Sequence, residues 1–461
     1  MQALHAVGVK PRSGTPAPAA TTQVTTCADD TGSGTLRNII AAAGEGDTID
    51  LSRLTCSIVT LTQGAIPVML DNLTISGPGQ GKLAIDGAGS DRVFVHYGYA
   101  TLSLRGLAVR NGANILAGYK VAGGACILAN GYVTLDHSTV SGCLANGEGA
   151  YGGGILARGV TLYSSTLSGN VAQGTNLKTL TASYGGGAFA YRGAAALYDS
   201  IVSGNRAAPD PANTTYGSYD TGGGIFADNG GYALRSTIDG NYSSGTGGGI
   251  ASHAGFFVTN STISGNAART KTGGGIFVRL FDVMSVSNST IANNTALKGG
   301  GMYVSGTAQR FALQSTIVAD NAASAGAADI AVQSALTIFG ANNLVITADV
   351  AATLPGDTLH DEPKLLPLAN NGGLTRSHAL AQGSPAIDVG NDMAKLATDQ
   401  RGTGFPRVLG AAADIGAYES ALAPLLPAAV PVPLLPSWLL GALAGVLAWS
   451  GLRGLRRIAR S

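Results

Sequence analysis

The chain has 461 residues, of which 68 are glycine and only 12% are charged. Apolar residues make up 45%, enough to bury a large core, which excludes a disordered chain, and the glycines keep no three-residue period, which excludes collagen. The formal charge is +1, but the last nine residues hold four arginines, so residues 1–452 carry 24 basic against 27 acidic groups and offer no electrostatic footprint for nucleic acid.

Residues 1–26, rich in Ala, Thr and Pro, read as a disordered leader. They contain Lys10 and Arg12 but no apolar run longer than Ala6–Val9, so no secretory signal is visible, and the expectation is a misassigned start site ahead of a truncated chain. Residues 27–61 open with C-A-D-D-T-G-S-G-T-L-R-N-I-I-A-A-A-G-E-G-D-T-I-D-L. The spacing of Leu36 to Ala43 predicts a short amphipathic helix that covers the open end of whatever follows, making 27–61 an N-terminal cap. Gly34-Thr35-Leu36-Arg37 and Gly46-Asp47-Thr48-Ile49 carry a resemblance to the N-terminal segment of bacterial surface β-helix proteins with a Cys-Ser-Leu-Arg-Glu-Ala consensus.

Between residues 62 and 350 two phrases recur. One has the form S-T-I-S-G-N, at Ser138–Cys143, Ser165–Asn170, Ser200–Asn205, Ser236–Asn241, Ser261–Asn266, Ser289–Asn294 and Ser315–Asp320. The other is a glycine triplet before apolar residues, from Gly152, Gly185, Gly222, Gly247, Gly273 and Gly299. The serine-to-serine spacings are 27, 35, 36, 25, 28 and 26, a unit of about 25 residues with insertions. Each unit contains two short strand-like pieces, such as Gly249–Ala251 and Phe256–Ser264, and no helix. Units too small to bury a face alone must stack. The expected fold is therefore all-β: a right-handed parallel β-helix with capped ends, its hand set by the usual sense of parallel crossovers. Asn170, Asn205, Asn241, Asn266 and Asn294 would form a ladder of side-chain amides, and Ile238, Ile263, Ile291 and Ile317 an aliphatic column inside. The glycine triplets would supply backbone with positive φ at a sharp bend.

Residues 351–420 close the solenoid as a C-terminal cap. They contain, in order, Asn371-Gly372-Gly373-Leu374-Thr375, His378-Ala379-Leu380, Gly383-Ser384-Pro385-Ala386-Ile387-Asp388, Thr398-Asp399-Gln400-Arg401-Gly402 and Asp414-Ile415-Gly416-Ala417-Tyr418-Glu419. That order resembles the choice-of-anchor Q domain, which implies attachment at a cell surface and no reaction. After a linker at 421–433, residues 434–452 form an uncharged run flanked by Trp438 and Trp449 and followed directly by the arginines. A hydrophobic helix at 434–461 that spans the membrane, with its C-terminus in the cytoplasm, is expected. Val432-Pro433-Leu434-Leu435-Pro436-Ser437-Trp438 with this run and its arginines resembles the IPTL-type C-terminal sorting domain of Gram-negative bacteria. The resemblance implies export, handling by a sorting machinery, and an anchor that is processed.

Little in the sequence points to catalysis. Glycoside hydrolysis needs two carboxylates about 5–9.5 Å apart, whereas Asp136, Asp199, Asp220, Asp228, Asp239, Asp282 and Asp320 fall at differing offsets in the repeat. His96, His137, His253, His360 and His378 are too scattered for a metal site, and Asp399, Asp414 and Glu419 with Arg401 read as a cap-fixing ion pair ahead of a cation site. No catalytic residue, metal or cofactor is expected, and the competing reading is a polysaccharide lyase or glycoside hydrolase. Cys27, Cys56, Cys126 and Cys143 allow three pairings, of which Cys27–Cys56 and Cys126–Cys143 are local, with free buried thiols as the alternative. Longer loops enter the early units at one corner: 14 residues lie between Asn170 and Gly185 and 16 between Asn205 and Gly222, against 5, 6 and 4 later. Tyr151 and Tyr184 precede glycine triplets there, and Tyr216 and Tyr219 sit on the longest loop. A tyrosine offers a flat apolar face and a hydroxyl, so these four are the candidate carbohydrate-binding residues. The expected role is a surface-displayed structural or adhesive protein whose partner is a glycan or another cell-surface ligand.

Overall fold

The computed structural model describes residues 19–118, 120–174, 182–209, 221–279, 283–306 and 310–422. Tyr216, Tyr219 and the expected membrane helix lie outside the described residues, and no described helix is long and apolar enough to cross a membrane. The chain separates into units Met1–Ala423 and Pro424–Ser461, and everything described belongs to the first.

From Thr21 to Thr353 the backbone winds as a parallel β-solenoid whose strands assemble into sheets of 13, 11, 10, 8 and 3 strands. One coil passes through Tyr132–Asp136 in the 13-stranded sheet, Thr139–Ser141 in the 11-stranded sheet and Leu144–Gly147 in the 8-stranded sheet. It continues through Gly149–Tyr151 in the 3-stranded sheet and Ile155–Ala157 in the 10-stranded sheet before the next coil begins at Gly159. Two strand-like pieces per unit thus become four or five, because left-handed residues break them. Phe256–Ser264 divides at Asn260, φ 46°, into Phe256–Thr259 and Thr262–Ser264. The same corner holds His137, Asp199 and Arg235 at φ 47° to 51° in other coils, so packing overrides the preference for Gly or Asn.

The S-T-I-S-G-N phrase is one corner and one strand of each coil from Ser138 onward. Its serine is buried, and its Oγ accepts the backbone N–H of the serine one coil earlier, from Ser138 N–Ser165 Oγ at 3.1 Å to Ser261 N–Ser289 Oγ at 3.2 Å. Its Ile points inward. In its last occurrence the phrase is shifted by one: Ile291 pairs with Val318, and Ser289 N–H is accepted by Thr316 Oγ1. Val318 therefore continues the internal column in place of Ile317, which faces out beneath the C-terminal segment. The asparagines do ladder. Each Nδ2 donates to the next Oδ1 at 2.9 Å, from Asn170 to Asn205, Asn241, Asn266, Asn294 and one residue beyond, Asn321. Each Oδ1 also accepts the preceding coil's backbone N–H, and each Nδ2 also reaches a carbonyl such as Val202 O from Asn241 at 2.9 Å. The ladder ends on Asp329, whose Oδ1 accepts Asn321 Nδ2 at 2.8 Å. At its other end Cys143 takes the asparagine position, donates its N–H to Asn170 Oδ1 at 3.1 Å and is disulfide-bonded to Cys126.

Only the first glycine of a triplet uses its freedom at φ: Gly247 lies at φ 60°. The other two are glycine for lack of space. A Cβ on Gly248 would lie 2.4 Å from Gly274 O, and one on Gly249 would lie 3.0 Å from Asn266 Cγ. The third glycine thus leaves the amide ladder room to pass.

Both ends depart from their expected boundaries. Thr21–Gln23, assigned above to a disordered leader, pairs in parallel with Thr48–Asp50, and Val24 is buried. An unpaired edge would otherwise remain on the first coil. The solenoid therefore starts inside the expected leader and cap, not at residue 62. The helix Leu36–Ala42 packs Leu36 and Ile40 into the core, with Thr35 capping it by accepting Asn38 N–H at 3.2 Å. Arg37 holds Asp29 in two bonds of 2.8 and 3.0 Å and also reaches Ala65 O, while Cys27–Cys56 is disulfide-bonded. At the far end, residues 363–420 do not merely cover the last coil. They double back along the outer face of the 11-stranded sheet, where Leu380, Ile387 and Ile415 pack with Ile317 and Leu344.

Candidate functional site

Two outer regions bring chemically capable side chains together. The first lies under the returning C-terminal segment. Arg376 Nη2 is 2.6 Å from Asp239 Oδ2, Gln400 Nε2 donates to Thr237 Oγ1 at 3.0 Å, and Asn260 Nδ2 donates to Thr398 O at 2.7 Å. Beside these contacts runs a cleft of about 500 Å³ lined by Asp239, Ser264, Asn293, Asp320, Leu366 and His378. The Nδ1–H of His378 donates to Leu366 O at 2.7 Å, which leaves Nε2 to accept from Ser264 Oγ at 2.8 Å. Burial holds His378 below its usual range and pushes Asp239 and Asp320 above theirs, the Arg376 charge opposing the shift at Asp239.

Asp239 and Asp320 in this cleft are not placed as a glycosidase pair. Asp239 aligns through Ser264 and Ala292 with Ala319, the neighbour of Asp320. Three coil steps at about 4.8 Å separate the two carboxyls by roughly 14 Å, beyond the reach of either glycosidase geometry. Ser264 and His378 are at donor–acceptor distance, but a carbonyl orients the histidine where a carboxylate would be needed to stabilise its cation. Serine is also the repeat's own residue in that column, at Ser141, Ser168 and Ser203. The pair fastens the segment to the sheet. Asp399, Asp414 and Glu419 are likewise engaged. Arg401 donates to Asp399 Oδ2 at 2.6 Å and to Glu419 O at 2.6 Å, with its guanidinium 4.1 Å from the Phe405 centroid and 3.9 Å from that of Tyr418. Backbone N–H groups of Asp388 and Ser420 occupy the Asp414 carboxyl, and those of Leu409 and Asp414 occupy Glu419. Among the described residues no group of three or more His, Cys, Asp or Glu side chains is arranged to hold a metal ion.

The second region is aromatic. Tyr151 and Tyr184 stand on adjacent coils, paired in register with centroids 5.2 Å apart. Their rings are half-buried and meet Phe189 and Phe226, whose own centroids are 5.0 Å apart, on the outside of the 10-stranded sheet. Burial raises the Tyr151 phenol, with Glu148 adding to the shift. The cluster continues through an edge contact from Phe189 to Tyr191 at 6.4 Å. More openly presented rings occupy the 13-stranded sheet, and the sequence reading missed them. Tyr163 and Tyr198 are paired in register and stacked, with centroids 5.0 Å apart and planes at 9°. Tyr232 and Phe257 follow on later coils at 6.3 Å, and Tyr163, Tyr232 and Phe257 are 44%, 46% and 40% exposed. The signal was available: Tyr163 and Tyr198 both stand two residues before the phrase serine.

No protein-family model matches the chain, the three segments with family resemblances included. No curated protein matches it either. Among solved structures, the crystal structure of pectate lyase Pel9A is similar at 14% identity and a TM-score of 0.45, over 87% of this chain and 97% of that one. At that overlap the likeness carries no argument about the present chain.

Proposed function

We propose that this is an exported β-solenoid displayed at the bacterial surface, where it holds carbohydrate against aromatic rings on successive coils and has a structural or adhesive role. The observation that carries this reading is two columns of outward rings on the 13-stranded sheet, Tyr163–Tyr198 and, two residues away in register, Tyr232–Phe257, with a separate Tyr151–Tyr184 cluster at the 10-stranded sheet. Core packing gives no reason to present them outward, and sugar rings stack on such faces. Both disulfides support export, since such bonds persist in oxidising compartments. The apolar 434–452 run and its arginines supply the membrane attachment and the substrate of a sorting machinery.

A glycan array tests the reading with the wild type, a Tyr163→Ala/Tyr198→Ala variant and a Tyr151→Ala/Tyr184→Ala variant. Selective binding by the wild type and its loss in either variant is the expected result; no binding, or binding untouched by both variants, overturns it. Release of unsaturated or newly reducing sugar ends in the same incubations would favour the lyase or hydrolase instead. Deleting 434–461 should free the folded protein from the envelope, and retention of the truncated protein there would refute the anchor.

A further inference from the structure

The corner between the 10- and 13-stranded sheets joins two unpaired cations to the aromatic surface. It is built from consecutive turns after Phe94–His96, Ile127–Ala129, Ile155–Ala157 and Ala188–Ala190. The first turn presents Tyr99, 63% exposed, and the strand that follows the second opens on Tyr132, 41% exposed. The third presents Arg158, whose guanidinium lies 5.6 Å from the Tyr132 centroid. The fourth carries Tyr191, which donates its hydroxyl to Asn130 O at 2.9 Å, and then Arg192. The two arginines stand on directly stacked turns, since Arg192 N–H donates to Arg158 O at 3.4 Å.

Both arginine side chains are exposed, and among the described residues neither has a carboxylate or a hydrogen-bond acceptor. Five other arginines are closely paired, Arg37 with Asp29, Arg110 with Asp86, Arg235 with Asp199, Arg376 with Asp239 and Arg401 with Asp399, all at 2.6 to 2.8 Å, whereas Arg53, Arg269 and Arg310 are exposed and, among the described residues, share with Arg158 and Arg192 the lack of a carboxylate partner. The nearest acid in the following turn, Asp228, faces His253 at 3.3 Å. Beside the first of these turns Asp71 Oδ1 accepts Tyr99 N–H at 2.8 Å, so the uncompensated positive charge lies at the third and fourth turns.

Resting on the carbohydrate reading above, we infer that this corner binds an acidic polysaccharide, with Tyr99 and Tyr132 taking sugar faces and Arg158 and Arg192 taking carboxylates of sugars along the chain. The guanidinium fork matches the two coplanar oxygens of a carboxylate, a match that a neutral sugar cannot supply. Two forks one coil apart lie about 5 Å apart along the solenoid axis, so the ligand runs along that axis and presents carboxylates repeatedly. The contact of Arg158 with Tyr132 restrains the fork while leaving its N–H groups free for the ligand.

Affinity electrophoresis of the disulfide-intact protein in gels containing alginate, propylene-glycol-esterified alginate or neutral mannan tests this. The wild type should be retarded at least tenfold more strongly by alginate than by the esterified polymer, and less so as salt rises. An Arg158→Gln/Arg192→Gln variant with an unchanged Tm should lose that tenfold preference and keep whatever affinity it has for the neutral polymer. Equal retardation by the charged and esterified polymers, or alginate binding untouched by the double substitution, overturns the acidic ligand and leaves the carbohydrate reading standing. Retardation by none of the three overturns both.

Discussion

The outer face of the 11-stranded sheet is one repeated surface with two fates. In the earlier coils Thr139, whose hydroxyl donates to Gln80 Oε1 at 2.8 Å, Thr166 and Ile201 remain half-buried and clear of the C-terminal segment; in the later ones the register-equivalent Thr237, Thr262, Thr290 and Ile317 are fully buried beneath residues 363–420. The inward half of the strand barely changes across the boundary: Val140, Leu167, Val202, Ile238, Ile263 and Ile291 are all buried in one column. The solenoid is thus stable to both environments, and its outer residues are what adapt. Where the bare coils carry Ser141, Ser168 and Ser203, the covered coils carry Asp239 paired to Arg376, Ser264 bonded to His378, and then Ala292 and Ala319.

The largest effect should come from a feature that ignores the boundary. Asn205→Leu, in the bare half, and Asn266→Leu, under the cover, each strand several buried donors and acceptors at about 1–3 kcal/mol apiece, so each should cost on the order of 3–6 kcal/mol. Equal losses in denaturant melts would confirm that the ladder is an interior property; a loss confined to Asn266→Leu would mean that the cover, not the ladder, sets stability. Next in size, Arg401→Ala leaves Asp399 buried without its partner, at a cost of about 3–5 kcal/mol. That cost should fall on the cover alone. Limited proteolysis should cut 363–420 while the coils from Thr48 to Ser203 stay intact; uniform digestion of both halves would show that the cover and the solenoid unfold as one.

The cover should also respond to pH on its own. Burial pushes the Glu419 carboxyl up to about 7 from an ordinary 4.5, so the folded segment keeps a proton that the unfolded one releases. This contribution is full below about pH 4.5 and is lost as the pH rises through 7. Asp414 and Asp239, also raised by burial, act in the same sense. His378 acts oppositely: held below 6.5 by burial, it contributes above that pH and loses its contribution as the pH falls. Hydrogen exchange of 363–420 should therefore quicken from pH 4.5 to 7 after correction for the intrinsic rate, and Glu419→Gln should flatten that rise. The smallest effect is the most local. Thr262→Val removes the hydroxyl that donates to Gln400 Oε1 and should cost about 0.5–1.5 kcal/mol, whereas Thr166→Val in the bare half should stay within about 0.5 kcal/mol of wild type by thermal melting.

Much of the solenoid was legible because its determinants are periodic. Ile238, Ile263 and Ile291, the asparagines from Asn170 to Asn294, and the first glycine of each triplet recur at the unit length, and stacking gives each a reason. The reading slipped where periodicity became ambiguous. Ser315 and Thr316 both offer a hydroxyl, so the sequence allows two alignments of the last phrase, and the one that starts at Ser315 points Ile317 inward and leaves Asn321 out of the ladder. The returning C-terminal segment was not legible at all. Its bonds to the sheet join residues such as Thr262 and Gln400, 138 positions apart, and no local pattern announces them. The stacked pair Tyr163–Tyr198 was written in the repeat, but it could be noticed only once the outward face of that strand was known.

The coil-to-coil ladder bears on how such a chain can change its length. Each rung meets only the rung before and after it, so a whole unit duplicated between Asn170 and Asn205 would find the same amide, carbonyl and serine partners that its neighbours use. The Cys126–Cys143 disulfide and Asp329 mark where this interchangeability stops. Under the cover it is lost for a different reason, because Thr237, Thr262 and Thr290 answer to fixed groups on a non-repeating strap, and an added coil would pull them out of step. Growth and loss of units should therefore be concentrated in the bare half, which leaves one stretch of the molecule free to vary its reach while the strapped stretch keeps a constant count.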